Sequence, residues 1–524
     1  MADPRRFPTS SAPATRARRF LRAGWVAGLV LAAVASPDAG HAAQADQTLN
    51  VALDAEIATL DYYMGSGRNG IIMAHHLYDT LLYKDVKTGK IIPALAASYT
   101  FTDDTTIEFE LRKGVKFHDG SEMTADDVVY TLNTVSNPDY GAVYQIAVKW
   151  IDRAEKLGDY KVRLKMREPY PVALEWLAGF LPIYPKGYYE KAGKQGMAVK
   201  PVGTGPYKLV SVQPGTRWRL ERFQDHYQGS PKGNAIKFIE MRVLPEINTQ
   251  LTELITGKLD FIWKFSPDVA KRLKGRDGIV VKNAPILRIV YAAMNTVKDS
   301  PLKDVRVRRA LIHAIDRARI MQSFVGGESQ VIHSACNPVQ FGCTADVKAY
   351  AFDPKKAKQL LQEAGFADGF KAKILISKSG AVPRTVVEAI LADLARVGVK
   401  ADIEYQQWAA ARKKWIANDG HMMLMSWGSW GIGDVAMMTS EWFSEGDVNR
   451  VRDADVIDWL NTADSSPDRG KREQHYRKAL EKIADQAYWL PLWTFNANYA
   501  LSDDVEFTLD ADEIARFFNA TWKN

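Results

Sequence analysis

The chain has 524 residues, 46% of them hydrophobic and 25% charged, with 69 Lys and Arg against 62 Asp and Glu for a formal net charge of +7. Six of the arginines (Arg5, Arg6, Arg16, Arg18, Arg19 and Arg22) and only two acids, Asp3 and Asp38, lie in the first 42 residues, so +7 falls to +3 in the remainder. The basic excess belongs to the N-terminus, which removes the main support for a nucleic-acid partner.

Those first residues read as a secretory signal. A basic stretch precedes the apolar run WVAGLVLAAVA (25–35) and the small-residue stretch SPDAGHAAQA. The run is shorter than the roughly 20 residues a membrane span needs, so cleavage after Ala42 and a periplasmic destination are expected, with an uncleaved anchor as the alternative. The 482 residues left exceed the roughly 250–300 that one core usually serves, so at least two lobes are expected. No further apolar run is long enough to span a membrane.

Along the chain, strand and helix signals alternate. TIEFEL (106–111) places Ile107, Phe109 and Leu111 on one face and reads as a half-buried strand. After the turn at Asp119-Gly120, Thr124 and Asp127 form a capping-box pattern before the apolar stripe Val128, Val129, Leu132 and Val135. The two cysteines, Cys336 and Cys343, bracket a short segment with Pro and Gly; in an oxidising compartment they suit a local disulfide, with two free thiols as the alternative. FDPKKAKQLLQEAGF (352–366) carries Asp353 at an N-cap, Pro354 in the first turn and Gly365 past the end. The segment 385–405 repeats that logic: Val387, Ile390, Leu391 and Leu394 recur with helical spacing, Gly398 stops the helix, and Val399, Ala401, Ile403 and Tyr405 alternate as a strand. Such units predict an α/β lobe over 293–495.

Catalytic patterns are weak. There is no G-x-S-x-G, H-E-x-x-H or P-loop. SPLK (300–303) and KTG (87–89) match two motifs of penicillin-recognising enzymes, but in the wrong order and without S-D-N between them. A secreted hydrolase therefore stays only as the alternative class, and the expectation is a protein that is not an enzyme. His75 and His76 are adjacent and point about 100° apart on a helix, so they do not converge on a metal; one partly buried ring and one surface ring are expected. No cofactor and no metal site are expected.

Four stretches carry a resemblance: IIPALAASYTFTDDTTIEFELRKGVKFHDGSEMTADDVVYTL (91–132), PVGTGPYKLVSVQPGTRWRLERFQDHY (201–227), MNTVKDSPLKDVRVRRALIHAIDRARI (294–320) and AFDPKKAKQLLQEAGF (351–366). In this order they resemble the extracellular solute-binding proteins of peptide/nickel-type ABC importers, over nearly all of the mature chain. The resemblance implies a two-lobe periplasmic-binding-protein fold that closes on a hinge. It places residues 43–292 in lobe I with an added subdomain at 91–204, residues 293–495 in lobe II, and 496–524 back in lobe I. The crossings are expected near RIVYAAMN (288–295) and LPLWTFNANY (490–499). The partners implied are a small peptide or peptide-like ligand and the permease subunits of an ABC importer in the inner membrane, with the protein itself a monomer.

The site residues implied cluster around SWGSWGIGD (426–434). Trp408, Trp415, Trp427, Trp430 and Trp442 lie near cleft segments of the family, and about half of them are expected in the core. In dipeptide-binding members an aspartate three residues past the loop tryptophan holds the ligand ammonium; here that position is Trp430. An arginine before the preceding helix holds the carboxylate; here the aligned position is Ser377, with Lys378 adjacent and Arg384 a turn inside the helix. Asp434 is the acid left to meet an ammonium. From lobe I, DYYMGSGRNG (61–70) is the expected cleft segment, with Tyr63 and Met64. Loss of both dipeptide anchors keeps non-peptide cargo open: an opine, a sugar conjugate, glutathione or a nickel chelate.

Overall fold

A computed structural model describes residues 46–523, apart from 66, 86–87 and 378–381. Ten strands form one continuous sheet. From one edge they are Val399–Gln406, Phe370–Ser377, Met422–Trp427, Ile279–Met294, Trp489–Ser502, Phe261–Trp263, Thr48–Leu53, Phe238–Val243, Arg217–Arg222 and Tyr207–Gln213. The two long strands at its centre, Ile279–Met294 and Trp489–Ser502, run antiparallel and join the lobes. Their register holds from Ile279↔Ser502 to Pro285↔Asn496, breaks, resumes at Ile289↔Thr494 and Val290↔Trp493, and after a one-residue shift past Leu492 runs from Tyr291↔Pro491 to Ala293↔Trp489. On the far side of the break Ile279–Met294 pairs with Met422–Trp427, while on the near side Trp489–Ser502 pairs with Phe261–Trp263.

The strand TLNVAL (Thr48–Leu53) is buried almost throughout, as expected for an interior parallel strand covered on both faces. A second, four-stranded antiparallel sheet runs Ala96–Asp103, Thr106–Leu111, Lys161–Met166 and Ile151–Gly158. Its buried face pairs Ile107 with Leu164 and Phe109 with Val162. Its outer face sets Glu108 against Arg163 at 2.7 Å and Glu110 against Lys161 at 2.9 Å. This alternation is the pattern read from TIEFEL. The capping box is formed: the Thr124 N–H donates to Asp127 at 2.8 Å at the start of Ala125–Ser136. Helix Pro354–Glu363 is capped by Asp353, which accepts the Lys356 N–H at 2.9 Å. Among the described residues no helix is long and apolar enough to cross a membrane.

The histidine pair departs from expectation. Helix Arg68–Leu77 is buried nearly all round, so His75 and His76 are both inside, and neither ring lies on the surface. His76 Nδ1 lies 2.8 Å from the Ile72 carbonyl oxygen, with its ring among Tyr207, Phe517 and Phe518. The end of this helix explains PVGTGPY: a Cβ on Gly203 would meet the Leu77 oxygen at 2.1 Å, and one on Gly205 the His76 oxygen at 2.4 Å. Only glycine allows that approach. His118, in the turn before Gly120, holds this glycine segment: its Nε2 lies 3.0 Å from the Gly205 carbonyl oxygen, and its Nδ1 accepts the Gly203 N–H at 3.3 Å.

Burial pushes the His118 ring down to about 4, against the Gly205 hydrogen bond that favours its charged form. The native ring therefore stays neutral over a pH range in which the unfolded chain takes up its proton. That contribution to stability is complete above the unfolded value of about 6.5 and is lost as pH falls towards 4. The acids Asp260, Asp464 and Asp510, pushed up to about 6 by burial, act in the opposite sense. The test is thus a difference: the stability of the native chain relative to His118→Gln, from urea denaturation, should shrink by at most about 3 kcal/mol between pH 6.5 and 4. A difference independent of pH would show that the ring titrates normally.

Candidate functional site

Strand Met422–Trp427 ends where its last residue pairs with Ile289, just past the register break of the central strands. The chain then turns through Ser429–Gly431 with Ser429 at φ 50° and Trp430 at φ 58°. Both lie in the left-handed region that non-glycine residues avoid, which costs on the order of 1–3 kcal/mol each and persists only where the surroundings enforce it. The enforced geometry gathers aromatic rings. Trp427 and Trp430 meet edge to face with centroids 5.3 Å apart, and Trp408, opening the helix Trp408–Ile416, lies 6.5 Å from Trp427. All three are half-buried. Trp427 is fixed by its indole N–H, which donates to the Met437 carbonyl at 3.0 Å.

The same loop faces residues from the N-terminal third and the C-terminal segment of the chain. Trp430 meets Tyr144 edge to face at 4.9 Å, and the Tyr144 hydroxyl accepts the N–H of Gly67, the residue preceding helix Arg68–Leu77. A Cβ on Gly431 would meet that of Asp512 at 2.8 Å, and one on Gly433 would lie 3.1 Å from the Lys84 ammonium. Arg288, inside the register break, donates to Glu513 at 2.8 Å and to the Ser426 hydroxyl at 3.2 Å. Arg68 approaches Glu513 to 3.8 Å, and its Nη1 is buried with no hydrogen-bond partner. Burial pushes the Glu513 carboxyl up, but Arg288, Arg68 and Lys264 outweigh it and hold the group below its ordinary range. The arrangement is a set of aromatic walls beside a basic cluster, at the junction of the two lobes.

The residues expected at this site fare unequally. Trp408, Trp427 and Trp430 come together; Trp415 and Trp442 are core residues. Asp434 does not face the cleft. It is buried, takes the Arg472 guanidinium at 2.8 Å and the Ala436 N–H at 3.0 Å, and belongs to a network that includes Tyr476, Asp464 and Ser440. Burial pushes its carboxyl up while Arg472 opposes the shift, and binding a ligand ammonium would require stripping that arginine away. Arg384 is also misplaced: its side chain is 83% exposed and pairs with Glu388 one turn on, a surface ion pair of little worth. Ser377 is buried at the end of its strand, and Lys378 lies outside the described residues. Tyr63 is a core residue, its hydroxyl donating to the Pro182 carbonyl and its ring against Tyr62, Tyr140 and Tyr184; Met64 packs on the same core. The cleft side of that segment is a few residues later, at Gly67 and Arg68. Cys336 and Cys343 are disulfide-bonded with Cα atoms 5.8 Å apart.

Tyr144 and Arg288 were not singled out from the sequence, and Arg68 was covered only as part of the segment 61–70. Arg68 had a signal, a basic residue opening a helix directly after Gly67; Tyr144 had none. Glu441, on helix Ala436–Phe443, makes no ion pair among the described residues. Burial raises its carboxyl, with Arg412 and Lys149 opposing.

Residues 90–450 match the model of the bacterial extracellular solute-binding proteins, family 5, middle. Heme-binding protein A of Haemophilus influenzae is 28% identical over 455 residues, covering 80% of this chain and 82% of that protein. The dipeptide-binding protein of Escherichia coli is 29% identical over 448 residues, covering 78% and 82%. Among solved structures, the ABC transporter-associated periplasmic binding protein DppA from Helicobacter pylori, in complex with the peptide STSA, is 25% identical and superposes with a TM-score of 0.79 over 92% of this chain and 100% of that one. With the family match spanning well over half of its length, and the two-lobe architecture agreeing, the chain belongs to family 5 of the bacterial extracellular solute-binding proteins.

Proposed function

We propose that this chain is the periplasmic binding component of an ABC importer and captures a peptide or peptide-like solute between its lobes for delivery to the membrane permease, acting as a monomer without catalysis. Residues 1–42 serve as its cleaved export signal. The observation that carries the reading is the contact of Trp430 with Tyr144. A solute held beside that pair touches both lobes, and only such a solute favours the closed state. Trp408, Trp427, Trp430 and Tyr144 form the walls. The buried Arg68 Nη1 offers a donor to a ligand carboxylate, and Glu441 takes the place of Asp434 as the acid for an ammonium. The hinge is the register break, Pro285–Ile289 against Thr494–Asn496, a few residues before the 292/293 boundary implied by the family resemblance. A second reading, non-peptide cargo, is favoured by one observation: the two buried acids beside the loop, Asp434 and Glu513, are already paired with arginine. The relatives agree with either, since heme- and dipeptide-binding proteins match this chain to nearly the same degree.

Mass spectrometry of the solute that co-purifies with the mature protein should identify a peptide or a peptide conjugate. Calorimetry across di- and tripeptides, glutathione, an opine, an oligosaccharide and nickel–histidine should then give a saturable signal for the peptide class. Saturation with the sugar or opine and with no peptide would replace the first reading by the second. For an amino-bearing ligand, Glu441→Gln should weaken binding about tenfold or more, while Asp434→Asn should act through stability.

Trp430→Gly separates binding from folding, because glycine accepts φ 58° without strain. Its thermal midpoint should equal or exceed that of the native chain, while affinity for the co-purifying solute falls about ten- to a hundredfold through loss of the aromatic wall. Trp427→Ala should also weaken binding without large loss of stability. Unchanged affinity in both variants would make the loop purely structural.

A further inference from the structure

We infer that the disulfide-closed turn Cys336–Cys343 is the template that holds the tryptophan loop in its binding conformation, with Gln340 as the positioning residue. The turn is internally fixed: the Asn337 N–H donates to Gln340 Oε1 and the Gln340 N–H to the Asn337 carbonyl, both at 3.0 Å. From this base the buried Gln340 amide reaches across to the loop. Its Nε2 donates to the Ser429 hydroxyl at 2.9 Å and lies 3.2 Å from the Asp434 carbonyl and 3.3 Å from that of Ile432. The backbones are also stitched together. The Phe341 N–H donates to the Gly433 carbonyl at 2.8 Å, and the Val435 N–H to the Phe341 carbonyl at 3.0 Å.

Two features make this a template rather than ordinary packing. The residues it grips include Ser429 and flank Trp430, the two held at positive φ, and such a conformation needs an external constraint to persist. The turn also lies in the same lobe as the loop, whereas Tyr144 and Asp512 belong to the other. When the lobes part, those contacts are lost and the turn remains. The ring closed by Cys336 and Cys343 thus keeps Trp430 in position before a solute arrives, so that capture does not have to order the loop. The turn reaches the hinge as well, through Asn337 Nδ2, which donates to the Ile286 carbonyl at 3.0 Å. Only the consequence for binding rests on the function proposed above; the brace itself stands on these bonds.

Hydrogen exchange read by mass spectrometry on the mature protein, with no solute added, tests it. The variants are Gln340→Ala, Gln340→Glu, the double variant Cys336→Ser with Cys343→Ser, and Val386→Ala as a control in the distant core of lobe II. Gln340→Glu keeps the acceptor for Asn337 but loses every donation to the loop. Exchange at 428–435 should quicken about tenfold or more in the first three relative to the segment 48–53, and stay unchanged in the control. Native-like exchange at 428–435 in folded Gln340→Ala and Gln340→Glu would overturn the inference. Should the double variant fail to fold, Gln340→Glu decides, since its disulfide is intact. Retention of the co-purifying solute is read in parallel: a loosened loop with undiminished retention would leave the brace standing and overturn the placement of the binding site.

Discussion

The structure turns on three residues, Ile286 to Arg288, where the two central strands lose their register just past Pro285. Apart from a one-residue shift at Val290–Tyr291, these strands otherwise form an antiparallel ladder that carries hydrogen bonding along the middle of the sheet. Proline cannot donate to such a ladder, and the break begins just past Pro285. Several groups at the break find partners outside the ladder. The Leu287 N–H goes to the Ala511 carbonyl, the Ile286 carbonyl to Asn337, and the Arg288 side chain to Glu513 and Ser426. The partners of the break are the C-terminal segment, the disulfide turn and the start of the tryptophan loop. The tryptophan loop, the disulfide turn and the C-terminal segment are therefore all anchored at this one break; if the break is the hinge proposed above, they are anchored at the pivot.

Much of this architecture was legible in the chain, and what was not shares a cause. Local signals survive folding when neighbours in sequence decide them: the capping box at Thr124 and Asp127, the N-cap at Asp353 and the alternation of TIEFEL all form as read. Spacing also anticipated that Cys336 and Cys343 stand close enough to bond. Failures came where a distant residue decides. Asp434 reads as a free acid until Arg472, thirty-eight positions on, is placed against it. Arg384 reads as an anchor until its helix is set on the surface. Tyr63 follows the same rule, drawn into the core by Pro182 and Tyr184. The family resemblance pointed to the aromatic loop, and Trp408, Trp427 and Trp430 do come together there. Tyr144 sits in a stretch without periodicity and meets Trp430 only through a contact across the chain.

The ion pairs around the cleft show how closure can depend on the ligand. Asp434 and Arg472 both lie beyond the register break, and the Lys84–Glu175 pair lies entirely before it. Glu513 is met by Arg68 from its own side and by Arg288 from the break itself. None of these pairs joins one lobe to the body of the other, so separating the lobes leaves each buried charge with its partner. Breaking such a pair would cost about 3–5 kcal/mol and would hold the protein shut without a ligand. What crosses between the lobes is lighter: an edge-to-face ring contact at Trp430 and Tyr144, worth about 0.5–1.5 kcal/mol, and the packing of Gly431 against Asp512. Contacts of that size do not settle a two-state equilibrium by themselves. A solute that adds its own contacts to both walls does, and its departure at the permease lets the lobes part without disturbing a charge.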